Sequence, residues 1–111
     1  MALFGRRKRP GVLRTADRED LTYLEEWARA RRGVEAFVEP RTTVTETTVL
    51  LVASTGEWTR RRVPDPRAAA EFAKRLAIPV YDAAVVGYPG RMREWNARQK
   101  PASAGDAALD S

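Results

Sequence analysis

One β-branched run and the turn after it constrain this chain most. Residues 43–53 are dominated by Thr, Val and Leu, with six β-branched types before the first Leu. Such side chains favour extended backbone. Ser54-Thr55-Gly56-Glu57 breaks the run, and Trp58 to Val63 returns. Two extended runs around a glycine-containing turn read as a hairpin over residues 47–63. With Thr55-Gly56 as a two-residue loop, Ala53 faces Trp58 and Leu51 faces Arg60. The Val49–Ala53 stretch is apolar at consecutive positions, so its far end is expected to be covered on both faces.

Other elements follow from periodicity and punctuation. Residues 17–32 predict a helix. Asp17 or Asp20 caps it, Leu21, Leu24, Trp27 and Ala28 form one stripe, and Gly33 stops it. Val34 to Val38 alternate as a first strand, ended by Pro40. Asp65-Pro66 opens a second helix, with Asp as cap and Pro at the first helical position. Its stripe is Ala69, Phe72, Ala73 and Leu76. Val80 to Tyr88 is expected to hold another short strand, placed at Ala84-Val85-Val86. Arg91 to Arg98 predicts a third helix with Met92 and Trp95 on one side.

The order is helix–strand–strand–strand–helix–strand–helix. That predicts an α+β fold, a single two-layer domain with a small antiparallel sheet. Residues 17–100 form the domain. Residues 1–16 are read as a flexible basic arm and residues 101–111 as a disordered tail. With 111 residues, one domain is the expectation.

Composition excludes several chemistries. The chain has no Cys and no His. Disulfides, thiolate catalysis, histidine acid–base work and Cys/His zinc sites are therefore out. There is no G-x-G-x-x-G and no Walker loop. Glu35, Glu39, Glu46, Glu57 and Asp82 lie on or near strands. They leave carboxylate chemistry open, although solvated strand charges are the ordinary reading of such residues. The balance favours a non-enzymatic protein with no cofactor.

Charge is uneven. Residues 1–14 carry five bases and no acid, which equals the net charge of +5. Three basic clusters are candidates for partner binding. The first is Arg6, Arg7, Lys8 and Arg9, suited to phosphates or, with Leu3 and Phe4, to an anionic lipid surface. The second is Arg60, Arg61 and Arg62 beside Trp58. Arg60 and Arg62 share a strand face with Trp58, and Arg61 points the other way. Trp with flanking Arg suits base stacking and phosphate contact, or a core Trp covered by arginine stems. The third is Tyr88, Arg91, Arg93 and Trp95, an interface-like mix that equally suits closure of the domain's own core. No apolar run is long enough to span a membrane, and the four apolar residues of the arm are too few for an amphipathic helix, so a membrane partner is the least favoured. No secretory h-region follows the N-terminal bases, so a cytoplasmic location is expected.

Leu21-x-x-Leu-Glu-Glu-Trp-Ala, residues 31–45, Gly56-Glu-Trp-Thr-Arg-Arg-Arg and Ile78-Pro-Val-Tyr-Asp together resemble a family of small actinobacterial proteins, mostly uncharacterised. The resemblance covers about residues 20–97. Some members carry an oxidoreductase label, which implies a borrowed cofactor, and the resemblance carries over no functional residue. The element order also resembles a double-stranded-RNA-binding domain. That family's Gly-Pro-x-His loop is missing, and the second helix opens with Asp65-Pro66-Arg67 rather than lysines. Together these features predict a small accessory protein that binds an acidic partner, RNA or a ribonucleoprotein. The alternatives are a protein-interaction module, homodimeric or otherwise, and an enzyme that depends on carboxylates or a borrowed cofactor.

Overall fold

The hairpin is the centre of a four-stranded sheet. The computed structural model describes residues 10–100, with side chains from Arg18 onward. The basic cluster at Arg6–Arg9 and the tail at 101–111 lie outside the described residues. Helix α1 spans Pro10–Arg29 and leads into β1 (Glu35–Glu39), β2 (Thr48–Val52) and β3 (Trp58–Arg62). Helix α2 (Pro66–Leu76), strand β4 (Val80–Asp82), the short α3 (Ala83–Val86) and α4 (Gly90–Gln99) follow. The α+β class holds. Strand order is β3-β2-β1-β4, with β1–β2 and β2–β3 antiparallel and β1–β4 parallel.

Five differences from the sequence reading have local causes. Helix α1 begins at Pro10 rather than residue 17, so residues 10–16 belong to the helix and not to an arm. Pro is well suited to the first helical turn, where its missing N–H is not needed. Residues 43–47 are not strand. Thr42 Oγ1 accepts from the Val44 and Thr45 amides, and that local hydroxyl bonding turns the chain before β2. The hairpin register is shifted by one: Val52 faces Trp58 and Leu50 faces Arg60. Gly56 (φ 95) closes a three-residue loop in which its amide bonds Ala53 O and the Ala53 amide bonds Glu57 O. A positive-φ glycine at the third loop position is the signature of that turn.

The fourth strand is Val80–Asp82, not Ala84–Val86. Asp82 Oδ1 accepts from the Ala84 amide, which turns the following residues into α3. The sheet is accordingly mixed, because α2 carries the chain back to run beside β1. Finally, α3 and α4 do not join α1 and α2. They lie on the other side of the sheet.

The sheet's two faces thus differ. On the first, Ala36, Val38, Val49, Leu51 and Val63 pack against Leu24 and Trp27 of α1 and Phe72 of α2. The expected stripes of both helices point here. On the second, Phe37, Leu50 and Val52 pack with Ala83, and Trp58 and Met92 complete the cluster. Val49, Leu50, Leu51 and Val52 are all fully buried, so β2 is covered on both sides as its apolar run requires.

Candidate interaction face

Alternation along β1 sends Glu35, Phe37 and Glu39 to the second face. Their register partners there are Val52, Leu50 and Thr48, and Tyr81 lies beside Phe37 on β4. Pro89 and Gly90 turn the chain into α4, which covers the end of this face nearest Glu35. Arg91 makes the closure: Nη2 bonds Glu35 Oε1 at 2.6 Å, and Nε donates to Ala53 O at 2.8 Å. Trp58 Nε1 donates to Asn96 Oδ1 at 2.8 Å. Arg98 Nη2 donates to Thr55 O at 3.0 Å. No α4 residue is fully buried, so this helix is fastened chiefly by polar groups.

Each carboxylate on β1 collects a tyrosine and an arginine. Tyr81 OH donates to Glu35 Oε2 at 3.1 Å. Tyr88 OH donates to Glu39 Oε2, Thr48 OH donates to Oε1, and Arg60 grips both oxygens at 2.8 and 2.9 Å. Burial works against the Glu39 charge, but Arg60, Thr48 and Tyr88 outweigh it and hold the carboxyl below its ordinary range. The hydrogen bond to Glu39, with burial second, pushes the Tyr88 phenol up; the bond to Glu35 does the same for Tyr81. Both phenols therefore keep their protons well past neutrality.

Arg60, Arg61 and Arg62, like Arg91, are engaged within the chain. Arg60 pairs with Glu39 and lies 5.4 Å from the Trp58 ring centroid. Arg61, on the first face, lies 3.8 Å from the Tyr23 ring and 3.6 Å from Asp20. Arg62 reaches Glu46 at 3.4 Å on the exposed surface. These three do not form one patch, because strand alternation divides them between faces. Trp58 is half-buried with its N–H spent on Asn96. Trp95 is half-buried too, whereas Arg93 is exposed. Among the described residues, no carboxylate lies within 4.0 Å of Arg32, Arg41 or Arg93, and no group of acids is arranged to hold a metal ion. No described helix is long and apolar enough to cross a membrane.

What the sequence reading did not bring together is the far end of this face. Phe37 forms a floor, with its ring centroid 5.2 Å from that of Tyr81 and 6.4 Å from that of Tyr88. Beside them Val85 and Val86 are 79% and 55% exposed. Only Tyr88 of this group was a sequence candidate. Glu35 and Glu39 were legible as strand carboxylates, and their i, i+2, i+4 spacing with Phe37 was the available signal. Fold and face together define a small mixed-sheet α+β protein with an open, aromatic and apolar surface at one end. No protein-family model, curated protein or solved structure matches the chain.

Proposed function

We propose that this protein is a non-catalytic interaction module that docks a protein partner on the surface formed by Tyr81, Val85, Val86 and Tyr88. The observation that carries this reading is the exposure of those four side chains in one short stretch, against a fold whose strand arginines are already paired. Contiguous exposed apolar surface of this kind marks interaction sites. Tyr is also among the residues interfaces favour. A photo-crosslinking residue placed at Val85 tests it. A discrete adduct is expected in cells, diminished by Val86→Asp. Adducts identical to those from a crosslinker at Arg67 of α2, an exposed position on the helix that packs against the first face, would overturn it.

A second reading is binding of RNA or a ribonucleoprotein. Net charge and the cluster at Arg6–Arg9 favour it, with exposed Arg32, Arg41 and Arg93 adding to the field. Titration with labelled RNA across a salt series tests it. If about four bases meet single-strand phosphates, the log–log slope is near −3 and flattens when residues 1–9 are deleted. Absence of binding at low salt removes this reading and leaves the first.

A further inference from the structure

We propose that Phe37, Tyr81 and Tyr88 form an aromatic cage for an alkylated ammonium group. This rests on the interaction-face reading for its setting, but the pocket's chemistry is independent of any protein partner. Three aromatic rings, Glu35 and the 86–89 turn line an open depression of about 220 Å³. That is below the roughly 300–1,000 Å³ of sites for drug-sized molecules, so the occupant is the size of a side-chain head group. Phe37 is 4% exposed and supplies a fixed floor; Tyr81 and Tyr88, at 37% and 43%, supply open walls.

The polar groups select the sign of the ligand. Both tyrosine hydroxyls are spent as donors to carboxylates, which leaves them nothing to offer an anion. A phenol that donates to a carboxylate is polarised, and its ring face becomes more electron-rich. Cations are attracted to such faces, and quaternary ammonium ligands are the group aromatic cages recognise. Glu35 and Glu39 are neutralised locally by Arg91 and Arg60, so the pull on the cation comes mainly from the rings rather than from net charge. The same two ion pairs brace the carboxylates that orient the tyrosines. The cage is thus built before any ligand arrives, and little ordering cost remains for binding.

The test uses the isotope-labelled full chain and choline as probe, with 3,3-dimethylbutan-1-ol as its uncharged isostere. Choline is expected to give saturable NMR shifts at Tyr81, Gly87 and Tyr88, with the isostere at least about five-fold weaker. Tyr88→Leu, at a partly exposed position, should weaken choline by about five-fold, whereas Tyr88→Phe keeps the ring and most of the affinity. A peptide bearing trimethyl-lysine separates the sources. Tighter binding than choline places the cation on a protein partner, and no gain places it on a small molecule; both support the cage. Equal binding of the isostere, no saturable shift with choline or peptide, or unchanged choline affinity in a folded Tyr88→Leu variant would overturn it. The interaction-face reading stands or falls separately, on the crosslink at Val85.

Discussion

Leu24, Trp27, Ala69 and Phe72 cover the first face of the sheet with buried side chains, whereas α4 covers the second with none. The first face is closed by area removed from water, which is non-directional and large in sum. Over the second, α4 adds the half-buried Met92 to a small apolar cluster and is otherwise held by a few directed bonds: Arg91 to Glu35, Trp58 to Asn96, Arg98 to Thr55. Bonds of that kind contribute only about 0.5–1.5 kcal/mol each, somewhat more where charges meet. The lesson is a division of labour. The first face holds the fold together. The second is closed over Leu50 and Val52 but left open at Phe37, Tyr81 and Tyr88, where a ligand can reach the rings.

Phe72→Ala should produce the largest effect. It empties a fully buried site between α2 and the sheet and should cost about 3–5 kcal/mol in denaturant unfolding. A loss below about 1 kcal/mol would contradict the first face as the main store of stability.

Gly56→Ala comes next and acts on the second face. At φ 95 a Cβ is strained, and it would stand 2.1 Å from Arg91 O and 2.9 Å from Trp95 Cβ. The hairpin tip and α4 cannot then keep their approach. A cost of about 2–3 kcal/mol is expected, with a red shift of tryptophan emission as Trp58 and Trp95 lose cover. An unshifted spectrum with wild-type stability would show that α4 does not rest on this tip.

Asn96→Ala should cost about 1 kcal/mol. The loss should appear as faster amide exchange in α4, with α1 and α2 unchanged.

A smaller effect appears at acid pH. Despite its burial, Glu39 is held below its ordinary value of 4.5 by Arg60, Thr48 and Tyr88. The folded state therefore releases this proton more readily than the unfolded chain. Its contribution is complete above about pH 4.5 and is lost as pH falls through the lowered value. Glu25 and Glu57 shift the same way through Arg29 and Arg31. Glu39→Gln should make the acid decline of unfolding free energy shallower. An unchanged slope would remove Glu39 from the acid limb.

The smallest expected effect lies outside both faces. Ala77 ends α2 at φ 58, where an L-residue is strained. Ala77→Gly should stabilise by about 0.5–1 kcal/mol, as a positive-φ helix end favours glycine. A loss of stability would mean that unfolded-state entropy outweighs the strain.

Local signals made much of the first face legible. The α1 stripe, the Asp65 cap and the α2 stripe are written in contiguous residues; α2 formed where its pattern stood, whereas α1 starts at Pro10 and carries Asp17 and Asp20 inside the helix rather than at its cap. The second face was less legible because its partners are remote in sequence. Tyr81 and Tyr88 reach carboxylates 46 and 49 residues earlier. Strand β4 pairs with β1 across the whole hairpin and α2, and nothing within residues 80–86 tells a strand at 80–82 from one at 84–86. Asp82 decides it by capping α3, a choice visible only once its Oδ1 is seen on the Ala84 amide. The arginines were conspicuous in the sequence, but their pairing depends on which strand face each occupies. The hairpin register, displaced by one residue through Gly56, sets what stands opposite Arg60 and Arg61.

Native-state hydrogen exchange, read amide by amide, tests the division between faces most directly. The account predicts that residues 92–99 of α4 exchange through a local opening well below the global unfolding free energy. Residues 69–76 of α2 and the β2 strand should exchange only through global unfolding. If α4 and α2 exchange with the same opening free energy, the second face is as firmly closed as the first, and the division of labour between them is wrong.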